Sequence, residues 1–99
     1  MAELHGEFML PADHAVFVGH FPGRPIVPGV MLLEWVLGEV AGAAARAPLA
    51  LRLREAKFFQ PLAPGERAAL RLELAGARAT FEIRRDTAAI ARGIVEWGT

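Results

Sequence analysis

The apolar and polar positions of this chain follow different periods on the two sides of Pro48. After Pro48, apolar residues recur at every second position, with charged or small residues between them. This alternation predicts β-strands that bury one face and leave the other in water. Residues rich in Gly, Pro and Asp separate the stretches and are typical of turns. We expect strands in four stretches: 49–54, 70–74, 79–84 and, with less regular alternation, 88–97.

The first half of the chain has a different organisation. Residues 3–10 and 15–18 predict two short strands with a turn at 11–14 between them. Residues 19–28 contain three prolines and two glycines, which is too many for the interior of a helix or a strand. This segment must therefore be a shaped loop.

Residues 29–46 predict one long helix that ends before Pro48. Apolar side chains point in every direction around this helix, and only Glu34, Glu39 and Arg46 carry charge. A surface helix would show one polar face, so this helix should be covered on most sides. If the sheet wraps around the helix, the apolar face of the sheet and the apolar surface of the helix are both buried, and the polar face of the sheet stays in water. The pattern therefore favours an α+β domain.

Length and composition indicate a single domain that associates with another subunit. The 99 residues fit one domain spanning 1–99, and 54% of them are hydrophobic, with a mean hydropathy of +0.30. No run of about 18 apolar residues is present, so we expect no membrane span. The hydrophobic content is high for a soluble monomer, and we expect the additional apolar residues to form a subunit interface of a homo-oligomer, at least a dimer. The chain lacks cysteine and a basic segment followed by an apolar one. Both features fit a cytoplasmic protein better than a secreted one.

Charge is balanced overall but unevenly distributed. Residues 1–48 carry two basic and five acidic side chains, net −3, and residues 49–99 carry nine basic and six acidic, net +3. An acidic partner is one interpretation, and ordinary solvated strand faces are the other. Nucleic acid is a poor fit, because the basic residues form no run and do not interleave with aromatic residues.

Two side chains in the segment 19–34 could perform acid–base chemistry. His20 lies on the loop rich in Pro and Gly, which would hold its imidazole rigidly, and histidine is mostly a free base at neutral pH. Glu34 follows 34 − 20 = 14 residues later among large apolar side chains, which would favour its protonated form and make it a general acid. The alternatives are a histidine satisfied by a nearby carbonyl, and a glutamate that pairs with Arg24 or reaches solvent.

The start of the predicted helix supplies a third element. Amide groups at Gly29 and Val30 would have no helical partner and could stabilise an oxyanion. Other chemistries find no support: His5, His14 and His20 have no metal-ligand spacing, no phosphate-binding glycine motif is present, and serine is absent. We expect no metal and no cofactor.

The sequence GHFPGRPIVPGVMLLE at 19–34 resembles a family signature, H-F-P-G-x-P-x-x-P-G-V-x-x-x-E. This signature is typical of the 3-hydroxyacyl-acyl-carrier-protein dehydratases of the FabZ/FabA type. A second block, KFFQPLAPGE at 57–66, resembles the K-F-x-x-P-V-x-P-G-D segment of the same family. The resemblance implies the hotdog fold, in which an antiparallel sheet wraps around one long central helix. It covers about residues 7–75.

The resemblance also implies roles for single residues. His20 would remove the α-proton of a 3-hydroxyacyl thioester, and Glu34 from the other subunit would assist departure of the hydroxyl group as water. The amide of Gly29 would polarise the thioester carbonyl, and the carbonyl of Ile26 would orient the imidazole. The implied partner is an acyl carrier protein with a 3-hydroxyacyl chain. The implied substrate-binding residues are Phe21, Ile26, Pro28, Val30, Met31 and Trp35.

Three features depart from the usual family pattern. The sequence lacks the preceding P-H-R-x-P-F segment, Gly38 stands where the family often has Gln, and Trp35 replaces a small residue beside the acid. Trp35 is expected to shorten or redirect the acyl tunnel. We therefore expect a compact dehydratase of fatty-acid or related specialised lipid biosynthesis. The alternatives are a hotdog acyl thioesterase and a non-catalytic subunit that binds acyl carrier protein.

Overall fold

The computed structural model describes residues 2–17, 25–44 and 50–98. Within these residues five strands form one antiparallel sheet in the order β1-β3-β4-β5-β2, and one α-helix packs on it. No helix in the described ranges is long and apolar enough to cross a bilayer. The elements in chain order are β1 (Ala2–Phe8), a 3₁₀ turn (Ala15–Phe17), α1 (Gly29–Ala44), β2 (Leu51–Phe58), β3 (Ala68–Ala75), β4 (Arg78–Arg85) and β5 (Ala88–Trp97).

Strands β3, β4 and β5 form a meander in the centre of the sheet. Two-residue turns join them, and Gly76 and Asp86 in these turns have positive φ angles of 61° and 53°. Tight hairpin turns favour such conformations because their twist matches that of the strands. Strand β1 pairs with β3 along its whole length, and β2 pairs with β5, so β1 and β2 are the two edges. Both edge strands are mostly exposed.

The core lies between the inner face of the sheet and one face of α1. Alternate residues of β3 and β4 point inward and are buried, as their period of two predicts. The helix contributes Leu32, Val36 and Val40, which are spaced four residues apart and therefore share one face. The largest fully buried side chains are Phe81, Leu32, Leu62, Leu70, Leu72, Ile83, Ile90, Val36, Val40 and Val95.

The predicted strand at 15–18 is wrong for the residues that are described there. Ala15–Phe17 form a 3₁₀ turn, which continues the turn at 11–14. The amide of His14 donates to the carbonyl of Pro11 and the amide of Phe17 donates to that of His14, each at 3.0 Å. These local hydrogen bonds satisfy the backbone without a neighbouring strand. The sheet therefore has five strands in the described ranges, one fewer than the pattern predicts.

The expected helix begins at Gly29 and is described to Ala44, and residues 45 and 46 lie outside the described ranges. The sheet covers one face of this helix. The opposite face remains exposed, with Val30 at 61% and Glu34, Gly38 and Ala41 also open to solvent. The described part of one chain thus covers less of the helix than its apolar sequence predicts.

The outer face of the sheet carries ion pairs between neighbouring strands and one, from Arg84 to Glu82, within β4. Arg71 donates to Glu3, Arg92 and Arg84 donate to Glu82, and Arg78 donates to Glu96. Burial acts to raise the pKa of Glu82, but the hydrogen bonds from Arg84 and Arg92 outweigh it, and the pKa lies below its ordinary value. These pairs agree with the interpretation of the charge pattern as solvated strand faces.

Candidate active site

The approach to α1 is held by two backbone hydrogen bonds. Val27 is buried, and its amide donates to the carbonyl of Leu62 at 2.8 Å. The amide of Met31 donates to the carbonyl of Pro28 at 3.0 Å, which closes the first turn of the helix. Proline restricts the residue before it to extended conformations, so the helix does not reach back beyond Pro28. Gly29 is consequently the first residue of α1.

The amides of Gly29 and Val30 lie at the positive end of the helix dipole. The first amides of an α-helix have no acceptor within the helix. Among the described residues, we find no hydrogen-bond acceptor for either of these two amides. Within the described ranges, these two amides are therefore candidate donors to an oxygen atom that carries negative charge.

The ring of Phe58 lies against the backbone of Gly29. A Cβ atom at position 29 would be 3.1 Å from Cζ and 3.2 Å from Cε1 of this ring, so only glycine leaves the ring in place. An open apolar groove of about 440 Å³ begins here. It places the N-terminus of α1 beside a space that fits an apolar chain. The groove is lined by Ile26, Val27, Gly29, Leu32, Phe58, Phe59, Gln60, Pro61 and Leu62.

Glu34 lies on a different side of the helix from this groove. Leu32 lines the groove, and a residue two positions later is rotated by about 200° around the helix axis. Glu34 shares the exposed face with Val30, four residues earlier. The side chain is exposed, so the described residues of one chain do not supply the apolar surroundings expected for it. This chain's own Glu34 is not part of the groove.

The other predicted site residues are distributed over several places. Ile26 is partly buried and lines the groove, Pro28 is partly buried beside it, and Met31 packs against the core. Trp35 lies on the β1 side of the helix, where its ring centroid is 5.0 Å from that of Phe8. His20, Phe21 and Arg24 lie outside the described residues.

Phe58 and Phe59 are groove residues that the sequence interpretation did not assign to the site. Their side chains are 48% and 51% exposed, and Phe59 also carries the guanidinium of Arg92 over its ring at 5.6 Å. Two consecutive aromatic residues at the end of an alternating strand are the signal that could have identified them. Within the described ranges, no three His, Asp or Glu side chains come together as metal ligands would.

The five-stranded antiparallel sheet packed on one helix defines a hotdog fold, as the sequence predicts. The family model described as ApeI-like, ApeI dehydratase, matches residues 1–94, and the chain belongs to this family. In solved structures, the dehydratase heterocomplex ApeI:P from Xenorhabdus doucetiae is similar to this chain, with a TM-score of 0.81 and 25% identity, covering 98% of this chain and 88% of that one.

Curated relatives agree with this family. A 3-hydroxyacyl-acyl-carrier-protein dehydratase FabZ of Syntrophotalea carbinolica is 37% identical over 71 residues, which is 63% of this chain and 48% of the relative. The chain thus spans about half the length of the curated relatives it matches. A 1,4-dihydroxy-2-naphthoyl-CoA thioesterase of Synechocystis, with a TM-score of 0.60 and 16% identity, covers 97% of this chain and 80% of that one and shows likeness of fold alone.

Proposed function

We propose that this chain is a dehydratase that converts a 3-hydroxyacyl thioester, carried by an acyl carrier protein, into the trans-2-enoyl thioester. The observation that carries the proposal is the position of Gly29. Its amide is the first of α1 and has no acceptor among the described residues, and Gly29 lines an apolar groove. An oxyanion donor beside an apolar groove is what a thioester with an acyl chain requires. Membership of the ApeI-like dehydratase family supports the same reaction.

The proposed reaction needs a base, an acid and an oxyanion donor. His20 removes a proton from the α-carbon, and the Gly29 amide stabilises the negative charge that develops on the thioester oxygen. Glu34 protonates the hydroxyl group at the β-carbon. The C–O bond then breaks, a C=C bond forms between the two carbons, and water leaves. Ile26, Pro28, Val30, Met31, Phe21 and Trp35 remain the proposed substrate-binding residues.

Glu34 is proposed to act in the site of a second subunit. Its position on the exposed face, away from this chain's groove, supports an arrangement in which each groove receives the acid of the partner. The exposed apolar side chains of Val30 and Phe58 and the open edge of β2 favour a protein partner at this side of the molecule. We propose a second copy of this chain, in a cytoplasmic homodimer.

The solved relative from Xenorhabdus doucetiae is a heterocomplex, so a different protein chain is the competing partner. Size-exclusion chromatography with light scattering distinguishes the two. A homodimer predicts about twice the 10.7 kDa mass of the chain for the purified protein. A monomer that gains activity only with a different protein chain would contradict the homodimer and leave the dehydratase assignment intact.

The function is tested by turnover of a 3-hydroxyacyl-acyl-carrier-protein. We expect the absorbance of an enoyl thioester to appear with wild-type protein, and its rate to fall by about 10²-fold or more in His20→Ala and Glu34→Gln. His5→Ala on exposed β1 and Glu39→Gln on the same helix are matched controls that should retain activity. Release of free thiol without enoyl product would indicate a thioesterase. Binding of acyl carrier protein without turnover would indicate a non-catalytic subunit.

A further inference from the structure

Arg85, at the end of β4, reaches across to the segment that follows β2. Its Nη1 donates to the carbonyl of Pro61 at 2.8 Å and to Oε1 of Glu66 at 3.2 Å. Its Nη2 donates to Oε1 of Gln60 at 2.9 Å. One guanidinium therefore holds three acceptors of residues 60–66, which we call the clamp turn. The side chain of Arg85 is 24% exposed, and its hydrogen bond to Glu66 is partly buried.

The clamp turn is also fixed from within. Oε1 of Glu66 accepts a hydrogen bond from the amide of Ala63 at 2.7 Å, and Gly65 has a φ angle of +81° that side chains rarely adopt. The amide of Gly65 donates to the carbonyl of Leu10 at 2.7 Å. Leu62 is buried at the centre of this turn. Its backbone carbonyl is consequently held in a defined position.

This carbonyl of Leu62 accepts the amide of Val27 at 2.8 Å. The amide of Val27 and the carbonyl of Ile26 belong to the same planar peptide unit, and in the trans form they point in opposite directions. The hydrogen bond that directs Val27 N–H toward the clamp turn therefore directs the Ile26 carbonyl away from it. The Ile26 carbonyl is the group that the family resemblance assigns to the orientation of the His20 imidazole.

We propose that Arg85 is a positioning residue that sets the direction of the Ile26 carbonyl through the clamp turn and the amide of Val27. The catalytic consequence rests on the proposed function. A guanidinium suits this role because its planar fork can satisfy a carboxylate, an amide oxygen and a backbone carbonyl at the same time. Arg85 is not proposed to touch the substrate or the reacting atoms, and it acts through the peptide unit of Ile26 and Val27.

The proposal is tested with Arg85→Met and with Arg84→Met as the matched control. Arg84 is the adjacent residue, and its guanidinium binds Glu82 and the carbonyl of Thr87 instead of the clamp turn. The first readout is amide hydrogen exchange at Val27, which requires no activity. We expect exchange about ten-fold faster in Arg85→Met than in the control, because the clamp turn loses its support.

The second readout is turnover. We expect kcat to fall between about 10- and 100-fold in Arg85→Met with little change in KM, to stay within about two-fold in Arg84→Met, and to recover in part in Arg85→Lys. Unchanged exchange at Val27, or equal losses of kcat in both methionine variants, would overturn the proposal. If Arg85→Met does not fold, Gln60→Ala and Arg85→Lys give the same readouts with smaller changes.

The two readouts separate this proposal from the proposed function. A wild-type protein without dehydratase turnover, together with faster Val27 exchange in Arg85→Met, would support the positioning of the Ile26–Val27 peptide and would contradict the dehydratase assignment. Active wild-type protein, together with unaltered Val27 exchange in Arg85→Met, would support the dehydratase assignment and would contradict the positioning role of Arg85.

Discussion

The aromatic ring of Phe58 lies directly against the backbone of Gly29 at the N-terminus of α1. A methyl group at position 29 would approach two ring carbons at 3.1 and 3.2 Å, closer than ordinary van der Waals contact. Because the ring is 48% exposed, it can move aside without disrupting the core. A side chain at position 29 would therefore change the shape of the groove more than the stability of the fold.

Gly29→Ala should consequently lower activity while leaving the fold intact. We expect kcat/KM to fall by about 3- to 30-fold, because the displaced ring changes the groove beside the oxyanion donor. The same substitution should cost less than about two-fold in a Phe58→Ala background, where no ring opposes the new methyl group. Steady-state kinetics of the four proteins check this. Equal losses of kcat/KM in the wild-type and Phe58→Ala backgrounds would mean that the contact between the ring and Gly29 does not affect activity.

Gly93→Ala should be far more damaging to the fold. Gly93 is buried in β5, and a Cβ atom there would collide with the backbone carbonyl of Glu55 and the ring of Phe81. Neither neighbour can withdraw, since both belong to the paired strands around it. We expect a loss of about 3 kcal/mol or more in the free energy of unfolding and a fall in Tm of more than about 10 °C.

The control for this prediction is Gly98→Ala, at an exposed position where an added Cβ atom meets nothing within 4 Å. Thermal and urea unfolding of both variants decide the matter. If Gly93→Ala unfolds at the same temperature as Gly98→Ala, the close packing of β5 between β2 and β4 is wrong.

Glu96 should make folding stability depend on acid pH. Hydrogen bonds from Arg78 and then Arg54 hold the pKa of its carboxyl below the ordinary value. A carboxylate with a lowered folded pKa stabilises the protein above its unfolded pKa of about 4.3, and this stabilisation is lost as the pH falls through the folded pKa. The Tm of the wild type should therefore decline more on acidification than that of Glu96→Gln.

Melting curves from neutral pH to about pH 3 measure this difference. Glu7→Gln is a suitable control, because its ion pair with Arg67 is 3.6 Å long and both side chains are exposed. Its melting curves should follow those of the wild type. Parallel acid dependence of the wild type and Glu96→Gln would show that the cross-strand ion pairs of Glu96 do not stabilise the sheet.

The pattern of apolar and polar residues predicts an α+β domain, the start of the helix and, apart from shifted boundaries, the five described strands of the sheet. The hotdog class comes from the family resemblance of the sequence. The predicted strand at 15–18 is wrong, because four residues are too few to show a clear pattern. Hydrogen bonds within the turn that begins at Pro11 replace the pairing with a neighbouring strand. Whether a short segment forms a strand depends on whether another part of the chain lies beside it, and local composition does not show this.

The placement of residues in the candidate site is predictable from sequence where it depends on the local backbone, and less so where distant segments meet in the fold. Gly29 follows from the Pro-Gly pair before an apolar helix, but its contact with Phe58 joins positions 29 residues apart. Glu34 was expected among apolar neighbours because sequence shows which residues are adjacent and does not show which helix face the sheet will cover. The link from Arg85 to Val27 depends on three separate segments and has no sequence signature.

The central claim is that two subunits complete each site, with His20 from one and Glu34 from the other. Mixing the inactive variants His20→Ala and Glu34→Gln by co-expression tests this most directly. In a symmetric dimer with random pairing, half of the dimers are mixed and each has one intact site, so the sample should recover about a quarter of wild-type dehydratase activity. Activity no higher than that of either variant alone would contradict the shared site.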